Sequence, residues 1–111
     1  MTIVPVDLQI DARKGERIFL ASGKPEFSWR IQTDTAAARQ SAFRILAEDD
    51  QGAVLWDSGI VQETACRWIP WGGAALASRM AGTARVQIFD QSGNASDFSE
   101  PVHFETALLE N

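Results

Sequence analysis

Side-chain polarity alternates with a period of two in five separate runs, and this excludes a helical fold before anything else is considered. In "PEFSWRIQ" the residues Phe27, Trp29 and Ile31 alternate with Glu26, Ser28 and Arg30, the pattern of a half-buried strand. In "SAFRILAED" Phe43, Ile45 and Ala47 share one face, while Arg44, Leu46 and Glu48 share the other. "TARVQIFD" sets Ala84, Val86 and Ile88 against Arg85, Gln87 and Phe89, and "PVHFET" sets Val102 and Phe104 against His103 and Glu105. "VDLQI" supplies Leu8 and Ile10 near the N-terminus. "VLWD", after a turn, reads as a return strand with Val54 and Trp56 pointing inward.

Turn signals separate the runs: "SGKP" at Ser22 to Pro25, "DDQG" at Asp49 to Gly52, "GG" at Gly72 and Gly73, and "QSGN" at Gln91 to Asn94. Asp57-Ser58-Gly59 reads as a break or bulge, closed by an Asx-type hydrogen bond from Asp57. "DTAAARQ" and "GAALASRMAG" lack a long apolar stripe and read as loops with at most one helical turn. Short strands joined by turns predict an all-β sandwich of two antiparallel sheets with about seven strands. The 111 residues suffice for one domain with its own core.

Charge and composition narrow the function. A net charge of −5, with ten basic residues spread along the chain, argues against a nucleic-acid surface. No apolar run reaches the roughly 18 residues that a membrane span needs. The first residues lack the basic and apolar regions of a secretory signal, so a cytoplasmic location is expected. Cys66 stands alone and reads as a small buried hydrophobe. No Cys/His spacing could hold zinc, so neither metal nor cofactor is expected.

Candidate chemistry is sparse. Asp49 and Asp50 are adjacent on a turn, so their side chains diverge and do not face one another as a catalytic acid and base must. His103 lies on the polar phase of its strand without a nucleophile motif, and no catalytic residue is assigned. Asn94-Ala95-Ser96 fits a glycosylation pattern without a secretory signal beside it. Of the four tryptophans, Trp29 is in phase with the core and Trp56 is assigned inward. Trp68 and Trp71 flank Pro70 beside the glycine pair, where no period fixes their direction. They could plug the core, form a docking patch, or stack on a sugar.

Three segments together resemble one family: "PEFSWRI" at Pro25 to Ile31, "RQSAFRILAEDDQGAVLWDSGIV" at Arg39 to Val61, and "VQIFDQSGNASDFSEPVHFETALLE" at Val86 to Glu110. Their order is similar to that in the N-terminal fibronectin type III-like domain of bacterial α-L-rhamnosidases, the family-78 glycoside hydrolases. There a P-x-F-S-W strand precedes Q-x-A-Y-R-I, L-W-D-S-G, V-x-V-W-D-x-x-G, S-x-W-S and F-E-T-G-L. The chain departs from this pattern at Thr83 and Ala84, where aromatic residues are usual. It also departs at Phe89 and Phe98, where Trp is usual, and at Ala107, where Gly is usual. It has no Tyr, so the tyrosine corner common in such sandwiches is absent. Trp68 or Trp71 would fill the core near Ala84. The resemblance implies a non-catalytic accessory module spanning residues 1–106, with 107–111 starting a linker to a following domain. In this family hydrolysis belongs to a separate helical barrel domain. The implied partners are neighbouring domains of the parent enzyme. The alternative is a carbohydrate-binding module that uses exposed Trp68 and Trp71.

Overall fold

Each alternating run is a strand. The computed structural model describes residues 3–13, 17–34 and 38–108. Its strands are β1 (Ile3–Ile10), β2 (Arg17–Leu20), β3 (Glu26–Thr33), β4 (Gln40–Asp49), β5 (Val54–Asp57), β6 (Ile69–Pro70), β7 (Ala81–Asp90) and β8 (Val102–Thr106). No helix occurs among the described residues, and "GAALASRMAG" is loop and turn leading into β7. Thr35, Ala36 and Ala37 of "DTAAARQ" lie outside the described residues, as do positions 109–111 of the expected linker.

The strands form two sheets, a three-stranded β1-β3-β6 and a five-stranded β2-β8-β7-β4-β5. Pairing is antiparallel except that β2 runs parallel to β8, with Arg17 opposite His103 and Leu20 opposite Thr106. This modifies the expectation of purely antiparallel sheets. "RIFL" is four residues long, too short for its alternation to stand out, and its partner lies at the far end of the chain.

The inward phases meet between the sheets as predicted. Ile10, Phe27, Trp29, Phe43, Ile45, Ala47, Ala84, Val86, Ile88 and Phe104 are all buried in one cluster. Trp29 of the small sheet packs edge-to-face on Phe43 of the large one, centroids 5.3 Å apart, a favoured aromatic geometry. Its indole N–H donates to Gln40 Oε1 at 2.9 Å. The Gln40 amide in turn donates to the Glu63 and Ala65 carbonyls. Burial of this polar pair is therefore compensated, as it must be.

One inward assignment needs correction. Val54 is 61% exposed, whereas Trp56 turns inward as assigned. The register shows why: Ala47 faces Trp56 but Glu48 faces Val54, so Leu55 is an extra residue. A β-bulge of this kind reverses the phase on one side of itself.

The two hairpin-type turns share one construction. Asp49 Oδ1 accepts from the Gln51 and Ala53 amides, and Asp90 Oδ1 from the Ser92 and Asn94 amides. The glycine three residues on, Gly52 or Gly93, has φ of 85° in both, which a side chain would oppose. Asp49 thus serves the turn. Asp57 behaves as expected too, its Oδ1 accepting the Gly59 amide at 2.9 Å.

Candidate functional site

The predicted aromatic pair separates in space. Trp71 is buried, its ring 5.0 Å from Trp56 and 6.1 Å from Phe27 by centroid. Its indole N–H donates to the Ala74 carbonyl at 2.8 Å. This three-ring cluster closes the side of the sandwich where β5 and β6 are the edge strands. Gly72 and Gly73 run so close to Trp56 that a Cβ on either would sit 2.9 Å from its side chain. The glycine pair therefore lets the backbone lie on an indole. Trp71 joins the core cluster that contains Ala84, the core-plugging direction left open for it. An exposed Trp71 platform is accordingly corrected.

Trp68 points the other way and is 60% exposed. Its φ is +56°, a left-handed conformation that costs a bulky residue about 1–2 kcal/mol. Ser28 Oγ accepts its backbone N–H at 3.1 Å, and the neighbouring Cys66 carbonyl accepts the Trp29 N–H at 2.9 Å. These bonds anchor the "CRW" loop to β3. Cys66 itself is partly buried against the core.

Beside Trp68 lies a cleft of about 170 Å³ on the outer face of the small sheet, lined by Asp7, Gln9, Ser28, Arg30 and Arg67. Ser28 and Arg30 are there because they hold the outward phase of "PEFSWRI". Asp7 arrives differently. The β1–β3 register shifts between Val6 and Gln9, and Asp7 takes a φ of +53°. The bulge brings its carboxylate 2.9 Å from the Arg30 guanidinium. No periodic signal marks Asp7, so sequence reasoning missed it. Arg67 makes no ion pair among the described residues.

Several acidic side chains elsewhere have structural partners. Arg44 holds Asp57 through two hydrogen bonds, of 3.0 and 2.6 Å. Arg85 holds Glu48, and Arg17 holds Glu105. The hydrogen bond from Arg44, then that from the Gly59 amide, lowers the Asp57 pKa to about 2. Hydrogen bonding from Asn94 and Ser92 amides also lowers that of Asp90, against its burial. A general acid needs a displacement in the opposite direction. Phe98 lies between two of these pairs, with the guanidinium carbons of Arg44 and Arg85 each 5.9 Å from its ring centre. His103 is exposed on the outer phase of β8. Asn94 Nδ2 donates to Asp90 Oδ2 within the turn. Among the described residues no cluster of His, Cys, Asp and Glu is arranged to hold a metal, and no helix could cross a membrane.

Two packed sheets with this strand order define an immunoglobulin-like β-sandwich. A family described as "Rha78A-like, N-terminal immunoglobulin domain" matches residues 5–110, and the chain belongs to it. An α-L-rhamnosidase of Alteromonas sp. (strain LOR) is 31% identical over 93 residues, covering 78% of this chain and 10% of that protein. One from Formosa agariphila is 29% identical over 103 residues, covering 87% of this chain and 11% of that protein. The chain thus spans about a tenth of the length of these curated relatives. Among solved structures, Streptomyces avermitilis α-L-rhamnosidase complexed with L-rhamnose matches with a TM-score of 0.87 and 24% identity, covering 96% of this chain and 11% of that one. Fibronectin(III)-like modules of Clostridium thermocellum CbhA match with a TM-score of 0.52 and 15% identity, covering 94% of this chain and 100% of that one.

Proposed function

We propose that the chain is a non-catalytic accessory module of an α-L-rhamnosidase-like glycoside hydrolase, and that it packs against the following domain and positions it. The observation that carries this reading is the exposure of two large apolar side chains, Phe19 and Leu108, at 57% and 74%. Phe19 lies opposite Glu105 on the edge strand β2, and the Ala107 amide donates to the Leu20 carbonyl. Both residues therefore belong to the end of the large sheet where β8 runs out. Arg13, whose guanidinium donates to the Phe19 carbonyl, and Arg17 give this patch a polar rim. An apolar centre with a polar rim is the composition of a domain interface. The occupant we assign is the domain that follows in the longer relatives, because the chain leaves the sandwich beside this patch.

The non-catalytic part of the reading rests on the carboxylates. Retaining and inverting glycosidases alike need two of them across a scissile bond, one kept protonated. Here Asp49 and Asp90 cap turns, and Glu48, Asp57 and Glu105 pair with arginines. Incubating the purified 111-residue protein with an aryl α-L-rhamnoside should release no aryl group above the buffer blank. Turnover that disappears on substitution of a single Asp or Glu of this chain would refute the assignment.

A further inference from the structure

We propose that the cleft beside Trp68 binds a neutral pyranose, the exposed indole stacking on a C–H face of the sugar while Asp7 and Arg30 meet its hydroxyls. The site goes beyond the accessory reading and does not rest on it. It occupies the outer face of the small sheet, whereas Phe19 projects from the outer face of the large one.

Two left-handed non-glycine residues, Trp68 and Asp7, line the same cleft. Backbone strain of this sort persists only where the surroundings enforce it, and it collects at functional positions. Each strained residue presents a functional group to solvent, one an aromatic face and the other a carboxylate. The face of an indole carries negative quadrupolar charge and attracts polarised C–H groups. A carboxylate accepts from hydroxyls and a guanidinium donates to them, so the Asp7–Arg30 pair at 2.9 Å offers both functions to a vicinal diol. Gln9, Ser28 and Arg67 add further polar groups around the ring. The mount is rigid. Ser28 Oγ fixes the Trp68 amide, and the Gln40 amide fixes the preceding loop through the Glu63 and Ala65 carbonyls. A polyanionic ligand is disfavoured by the net charge of −5.

The test is an NMR titration of the 111-residue protein with methyl α-L-rhamnopyranoside and, separately, methyl α-D-mannopyranoside. At least one should shift the Trp68 indole N–H and the Ser28 and Gln9 amides saturably, with an affinity of about millimolar. The indole signals of Trp29 and Trp71, whose N–H groups are bonded to Gln40 and Ala74, should stay in place. In Trp68→Ala the Ser28 and Gln9 shifts should vanish, and Asp7→Asn should weaken binding about tenfold. Both variants are expected to keep the parent melting temperature to within a few degrees. Absence of saturation with both sugars, or undiminished binding by either variant, overturns the proposal.

Discussion

Trp29 is the largest fully buried side chain among the described residues; its ring joins the sheets and its N–H organises a loop. It packs on Phe43 and donates to Gln40, which in turn holds the backbone at Glu63 and Ala65. Trp29→Ala is expected to cost about 3–5 kcal/mol in urea unfolding, the usual cost of removing a buried aromatic. A loss below about 1 kcal/mol would contradict its assigned role. Asp57 makes a different kind of contribution. Its pKa is lowered from 3.8 to about 2, so the folded state binds its proton less readily than the unfolded chain does. The resulting stability is fully present above the unfolded value of 3.8 and is lost as pH falls through about 2. Asp57→Asn should therefore flatten the fall of melting temperature with pH across that window. An unchanged slope would show that the Arg44–Asp57 pair contributes nothing, as exposed pairs sometimes do.

At the level of elements, strands are where the periodicity was readable and loops are where it was not. Inward phases on β3, β4, β7 and β8 follow from alternation alone, because a strand has only two faces. Val54 defeated the same rule because one extra residue, Leu55, separates it from Trp56 in register. Asp7 escaped notice for the same reason, its bulge being invisible in a string of letters. Trp68 and Trp71 lie only three residues apart, yet one is exposed and the other buried. Their directions depend on a left-handed residue and on contacts with Phe27 and Trp56, which no local pattern encodes. The matched turns at Asp49 and Asp90 offer a test of element-level independence. Gly52→Ala and Gly93→Ala should each cost about 1–2 kcal/mol. Asp49 opposes Gly82 and Asp90 opposes Gln40, placing the turns at opposite ends of the β4–β7 pair. Their costs should add within about 0.5 kcal/mol in the double variant. Gly82 is more tightly constrained, since a Cβ there would collide with the Glu48 carbonyl oxygen and touch Phe104. Gly82→Ala must push β4 and β7 apart, and a loss of about 1–3 kcal/mol is expected from such overpacking.

For the whole molecule, the sandwich completes its own core and leaves its large apolar side chains in separate places. Phe19 and Leu108 lie at the end of the large sheet, and Trp68 lies on the small one. Family membership was legible in the sequence because "PEFSWRI", "LWDSG" and "HFET" combine core phase with turn chemistry in a fixed order. The proposed docking surface was not legible, since Phe19 sits on a four-residue strand whose partner β8 lies at the far end of the chain. The claim that the module positions a neighbour is tested most directly by Phe19→Asp, made both in the isolated 111-residue chain and in a polypeptide that continues into the following domain. An exposed side chain should be replaceable in the isolated chain at a cost within about 0.5 kcal/mol. In the longer polypeptide the same change should cost more than about 1 kcal/mol of unfolding free energy, because it buries a charge in an interface. Equal costs in the two settings would contradict the account.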